Sequence, residues 1–130
     1  MSDDALEQTT DLSFDDAQER VTEALAEEGF GVLTEIDVKA TLAKKLGVDF
    51  RRYTILGACN PGFAHKALEM NLNIGTLLPC NVVVYEGDDG KTVLSAVDPG
   101  TLLPTDTPEL KGIADEVRGR LARALAAARG

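Results

Sequence analysis

The chain has 130 residues, 44% of them hydrophobic and 27% charged, with a formal net charge of -9. That is the material of one domain, residues 1–130, too apolar for wholesale disorder and long enough to bury a core without disulfides or a structural metal. The acidic balance excludes a nucleic-acid binder, whose phosphate contacts need a basic face.

The charge is unevenly placed: residues 1–35 hold 11 of the 22 acids and one of the 13 basic residues. An acidic surface poor in lysine suits a salt-rich cytoplasm and a halophilic source. The start, Met1 to Ala5, has neither a basic nor an apolar targeting region, and no apolar run reaches the ~18 residues of a spanning helix. A cytoplasmic protein with no membrane partner is therefore expected. Its two cysteines, Cys59 and Cys80, match no zinc, CxxC or haem-attachment spacing, and in a reducing compartment they read as free thiols.

In chain order, residues 1–9 form a flexible leader or, over Ala5 to Thr10, an edge strand. Ser13 with Asp16 three residues on resembles a capping box, so a helix is expected from Phe14 to Glu28. Phe14, Ala17, Val21, Ala24 and Leu25 give it an apolar face, and Gly29 stops it. Phe30 to Ile36 reads as a strand. Asp37 caps a second helix, Val38 to Leu46, closed by Gly47. Tyr53 to Ala58 is another strand, followed by a helix in which Asn60 is the N-cap and Pro61 the first residue.

That helix ends near Asn71, and Leu72 to Pro79 is expected to be an extended connection. Asn81 to Glu86 is a strand too apolar to be exposed on both faces, hence central in a sheet. Gly87 to Gly90 is a hairpin turn, Lys91 to Val97 its partner strand, and Asp98-Pro99-Gly100 the end of that strand. Thr107 and Pro108 open a last helix with one continuous apolar stripe from Leu110 to Ala128. The order implies an α+β fold, a two-layer α/β sandwich with a mixed, mostly antiparallel sheet and helices on one face. A doubly wound nucleotide-binding fold fits worse, because the turn after Tyr53–Ala58 lacks GxGxxG and Walker A spacing.

Four segments carry a resemblance: Gly31 to Val38, Tyr53 to Pro61 with its Ala-Cys-Asn-Pro, Leu77 to Val84 with its Leu-Pro-Cys-Asn, and Val97 to Pro99. Over about residues 10–105 the chain resembles the family called domain of unknown function 302. The resemblance implies a two-layer fold of the kind also described as TATA-binding-protein-like, associating as a dimer. It implies no activity and no cofactor.

Among side chains that could carry chemistry, Cys59 precedes a helix N-terminus, where the helix dipole favours thiolate; its commoner role would be a small core residue. Cys80 enters a strand, and the route of residues 72–79 decides whether Cys80 and Asn81 arrive beside Cys59 and Asn60. The repeated Cys-Asn pair favours a shared site. His65, the only histidine, could complete a Cys2His soft-metal set with Cys59 and Cys80, although a lone surface histidine is the commoner case. Glu35 is a strand acid of either face, and Asp98 before Pro99 is most often a turn residue. Asn60 and Asn81 serve as backbone caps more often than as ligand contacts. Arg118, Arg120, Arg123 and Arg129 flank the last apolar stripe and could meet an acidic partner.

No catalytic signature stands out, and the residues identify no cofactor. The leading reading is a small binding domain whose cleft, lined by Cys59, Asn60, Cys80 and Asn81 with Glu35 and Asp98 as further candidates, holds a small molecule or reacts as a thiol site. The alternatives are a non-catalytic homodimeric or partner-binding module and a zinc or copper binder.

Overall fold

In the computed structural model, which describes residues 4–104 and 106–130, short polar side chains begin every helix of the α type. The Asp16 amide donates to Ser13 Oγ at the start of α1 (Phe14–Glu27), and the Ala40 amide to Asp37 at α2 (Val38–Leu46). The Phe63 amide donates to Asn60 at α3 (Pro61–Met70), Gly100 to Asp98 at the short α4 (Pro99–Leu102), and Leu110 to Thr107 at α5 (Pro108–Ala128). Each cap satisfies an amide that the first helical turn leaves unpaired. Gly29, at φ +88°, and Gly47, at φ +68°, take left-handed conformations just past α1 and α2, the stops expected from sequence.

The strands are β1 (Glu7–Thr10), β2 (Gly31–Asp37), β3 (Tyr53–Cys59), β4 (Cys80–Glu86) and β5 (Thr92–Ala96). They form one sheet in the order β1-β5-β4-β3-β2, and all four pairings are antiparallel. The two-layer α+β sandwich is as expected, and β4 is the central strand. No parallel pair forms: α2 returns the chain antiparallel beside β2, and α3 with the turn after it does the same beside β3. Ala5 to Thr10 yields an edge strand over its last four residues, after a 3-10 turn at Asp4–Leu6. The leader alternative for residues 1–3 lies outside the described residues.

One face of the sheet carries the main core. Alternation turns Leu56 and Ala58, Cys80, Val82 and Val84, and Leu94 to the same side, where they meet α1 and α5. Phe14, Ala17, Val21, Ala24 and Leu25 come from α1, and Val117, Leu121, Ala124, Leu125 and Ala128 from α5. The α5 stripe is thus spent within the chain. A second, smaller cluster joins Ala67 of α3, Ile74, Leu103, and Leu110 and Ala114 of α5.

Three expectations are corrected. Leu72 to Pro79 is not extended: Leu72–Leu77 is a 3-10 helix, begun by Asn71, whose side chain accepts from the Asn73 amide, and anchored by buried Ile74. Local hydrogen bonding and one apolar anchor outweigh the extended reading of an irregular sequence. Asp98-Pro99-Gly100 does more than end a strand, because Asp98 caps α4. The α5 arginines are already engaged: Arg118 with Asp98, Arg120 with Glu116 and the Glu28 carbonyl, Arg123 with Glu28, and Arg129 with Gln8.

Candidate functional site

The register between β3 and β4 places Ala58 opposite Cys80 and Gly57 opposite Asn81. Cys59, the last residue of β3, and Asn60, the cap of α3, follow at the point where strand becomes helix. A small cavity lies there, lined by Ala58, Cys59, Asn60 and Cys80, closed by Phe63, Ala64 and Ala67 of α3 and by Ile113 and Val117 of α5. Phe30, Leu78 and Leu103 complete its wall. Both cysteines are free thiols, Cys59 half-buried and Cys80 buried.

The cavity is apolar and holds about 30 Å³, close to the volume of one water molecule. Anything larger enters only if a wall moves. Burial pushes the Cys80 thiol up, and the nearby Cys59 adds to the rise, because a second negative charge would be placed beside the first in a poorly solvated space. Asn60 Oδ1 accepts from the Phe63 amide, and its Nδ2 would lie 2.9 Å from a Cβ at position 29, so the glycine there lets the amide side chain sit close. The Arg120 guanidinium stands 5.4 Å from the centre of the Phe63 ring, at the outer side of this wall.

Outside the cavity, α3 and α5 enclose an open groove bordered by Lys66, Glu69, Met70, Glu116 and Arg120. Phe63 and Ile113 line both spaces. These two side chains therefore separate the thiol cavity from the groove.

The remaining sequence candidates lie elsewhere. Asn81 is exposed, and alternation along β4 sets it on the sheet face opposite to Cys80. Asn81 is absent from the cavity lining, so the two Cys-Asn pairs do not converge as pairs. Glu35 is exposed on β2, opposite Leu56, and does not line the cavity. Asp98 joins α4 to α5: Oδ1 accepts from the Gly100 amide and Oδ2 lies 3.5 Å from Arg118 Nε. His65, with 75% of its side chain exposed, faces Glu69 at 3.8 Å. Residues 63, 64 and 67 turn one face of α3 to the cavity, which carries position 65 to the other side. The Cys59, His65, Cys80 metal set is not assembled, and among the described residues no three His, Cys, Asp or Glu side chains gather as a metal cluster.

Sequence reading missed Phe30, Phe63, Leu103 and Ile113. The helical spacing of Phe63, Ala64 and Ala67 was a signal available for α3. Leu103 had none, because it reaches the cavity only through the turn of α4.

A family model described as "Domain of unknown function DUF302" matches residues 6–128. Among solved structures, the chain is similar to the crystal structure of an uncharacterized conserved DUF302 protein from Bacillus stearothermophilus, with 37% identity and a TM-score of 0.87. The match covers 95% of this chain and 96% of that one. None of the curated proteins matches.

Proposed function

The chain belongs to the DUF302 family, and from that premise we propose that it is a small binding domain whose functional centre is the cavity shared by Cys59, Asn60 and Cys80. The observation that carries this reading is the meeting of two thiols from different strands in one apolar space beside a helix N-terminus. Thiols buried only for packing have no need of an adjoining opening. Here the half-buried Cys59 gives the cavity a reachable sulfur, and Phe63 with Ile113 gives it a wall facing an open groove. A reducing cytoplasm would keep both groups reduced and competent to bind or react.

The volume limits what the site does. With room for about one water, the cavity admits a small molecule by displacement of Phe63 or a shift of α3, of whose residues only Ala67 is buried. The ligand this lining suits is small and mostly apolar, with a soft, thiol-reactive or thiol-binding group directed at Cys59.

The test is the alkylation of native protein by N-ethylmaleimide, followed residue by residue with mass spectrometry. Cys59 is expected to react in the folded state, Cys80 more slowly, and Phe63→Ala to speed Cys80. Modification of both cysteines only after denaturation, in wild type and Phe63→Ala alike, would remove the site from consideration.

A further inference from the structure

Phe63 and Ile113 line the thiol cavity on one side and the groove between α3 and α5 on the other. The cavity holds about 30 Å³ and the groove about 750 Å³, so a molecule that reaches the thiols keeps its bulk in the groove. Charges of both signs border that groove: Lys66 and Arg120 against Glu69, Glu109 and Glu116. Three of these five are already engaged, Arg120 with Glu116 at 2.9 Å and Glu69 facing His65 at 3.8 Å. Among the described residues, neither Lys66 nor Glu109 has an ion-pair partner, and they do not pair with each other.

Lys66 stands beside the wall of the cavity, with Nζ 5.9 Å from the centre of the Phe63 ring, inside the range of a cation–π contact. On the facing helix, Gly112 keeps the groove wide. A glycine in a helix interior weakens the helix, and nothing lies within 4 Å of where its Cβ would stand. Packing does not require this glycine; the open space beside it does.

We propose that groove and cavity form one site for the disulfide of a small amino-acid thiol, with Lys66 receiving its carboxylate, Glu109 its ammonium group, and Cys59 attacking its sulfur. The proposal rests on the reading of Cys59 as a reachable thiol. Cys59 gives its proton to solvent, and its thiolate bonds to one sulfur of the disulfide RSSR as the S–S bond of RSSR breaks. The other half leaves as a thiolate and takes up a proton to become RSH. Cys59 is thereby oxidised to a mixed disulfide and half of RSSR is reduced, with no further oxidant. A zwitterion suits this groove better than an ion of one sign: an anion meets Glu109 and a chain of net charge -9, a cation meets Lys66.

The experiment follows modification of native Cys59 at pH 7 by mass spectrometry, with three disulfides of similar size. Cystine carries a carboxylate and an ammonium group on each half, cystamine only ammonium, and dithiodipropionate only carboxylate. Each rate is divided by that of the same reagent on the unfolded chain. Overall charge alone ranks cystamine first and dithiodipropionate last. The proposed site puts cystine first, by about 3-fold or more over each of the others. Lys66→Gln is expected to slow cystine relative to cystamine, and Glu109→Gln to slow it relative to dithiodipropionate, each about 3-fold; these ratios cancel any change in the thiolate fraction of Cys59. Gly112→Leu, which places a helix-favouring side chain in open space, is expected to remove the cystine preference while a thermal melt shows the fold intact. If cystine is not first, or all three variants leave its preference unchanged, the proposal is overturned, and a Cys59 that still reacts with N-ethylmaleimide leaves the thiol cavity standing. A Cys59 inert to all four reagents in the folded chain overturns both.

Discussion

Arg123 reaches from α5 to Glu28, just past the C-terminal end of α1, and places Nη2 3.1 Å and Nε 3.2 Å from the same oxygen, Oε1. Arg120 adds a bond to the Glu28 backbone carbonyl at 3.0 Å. A carboxylate at a helix C-terminus opposes the helix dipole, and these two arginines offset that opposition while tying the two core helices together.

Glu27 and Glu28 therefore differ, although the acidic run makes them look alike. Glu28→Gln is expected to lower stability by about 0.5–1 kcal/mol, the ordinary value of a partly exposed pair. Glu27→Gln relieves repulsion and is expected to be neutral or stabilising by a few tenths of a kcal/mol at low salt. Added potassium chloride should raise the melting temperature of wild type by screening the acids of α1, and less so in Glu27→Gln. Thermal melts of the three proteins in dilute buffer and at molar salt check this; equal effects of the two substitutions would contradict it.

Gly57 is fixed by its neighbours rather than by its backbone angles. A Cβ there would collide with Thr34 Oγ1 and come within 2.7 Å of the Pro79 ring. Gly57→Ala is expected to cost about 1–3 kcal/mol through forced displacement of β2 or of Pro79, and Thr34→Ala in the same chain to recover part of it. Urea unfolding of the single and double variants measures the coupling.

Cys80 makes stability depend on alkaline pH. Burial raises its pKa in the folded state above that of the unfolded chain, so the unfolded chain loses this proton first as pH rises. Stability is then intact below the ordinary thiol pKa of about 8.5 and declines as pH rises toward and through the folded value. Tyr85 is also raised, first by burial and then by the charge of Glu7, and contributes in the same direction at still higher pH. Cys80→Ala is expected to flatten the earlier part of the decline, read as the midpoint of denaturant unfolding between pH 7 and 10. An unchanged slope would show that the thiol is not the group responsible.

Thr10 closes the far end of the sandwich. Its hydroxyl donates to the Arg129 carbonyl at 2.8 Å, and the Thr92 hydroxyl on the adjacent strand donates to the Leu12 carbonyl at 2.9 Å. Thr10→Val keeps the shape and leaves the carbonyl without this donor, at an expected cost of about 1–2 kcal/mol. Hydrogen exchange in the last turn of α5 should quicken with it, whereas exchange in β3 and β4 should follow the global stability alone.

Most of the elements are legible in short stretches of the chain. Ser13, Asp37, Asn60 and Thr107 start helices because a short side-chain oxygen satisfies an amide within three residues, and Gly29 and Gly47 end them because only a left-handed turn continues the chain there. These are local effects, as is the apolar character of β4 that marks it as central. Which side chains meet depends on register and packing between distant elements. Cys59, Asn60 and Cys80 share a cavity, and Asn81 is excluded from it, because the register of β3 against β4 and the pleat of β4 fix their faces. His65 and the α5 arginines were placed by helix rotation and by partners far away in the chain. The exposure of Leu33, Ile36, Leu46, Val48 and Phe50 was equally hidden, because only packing across the fold decides whether an apolar side chain is covered.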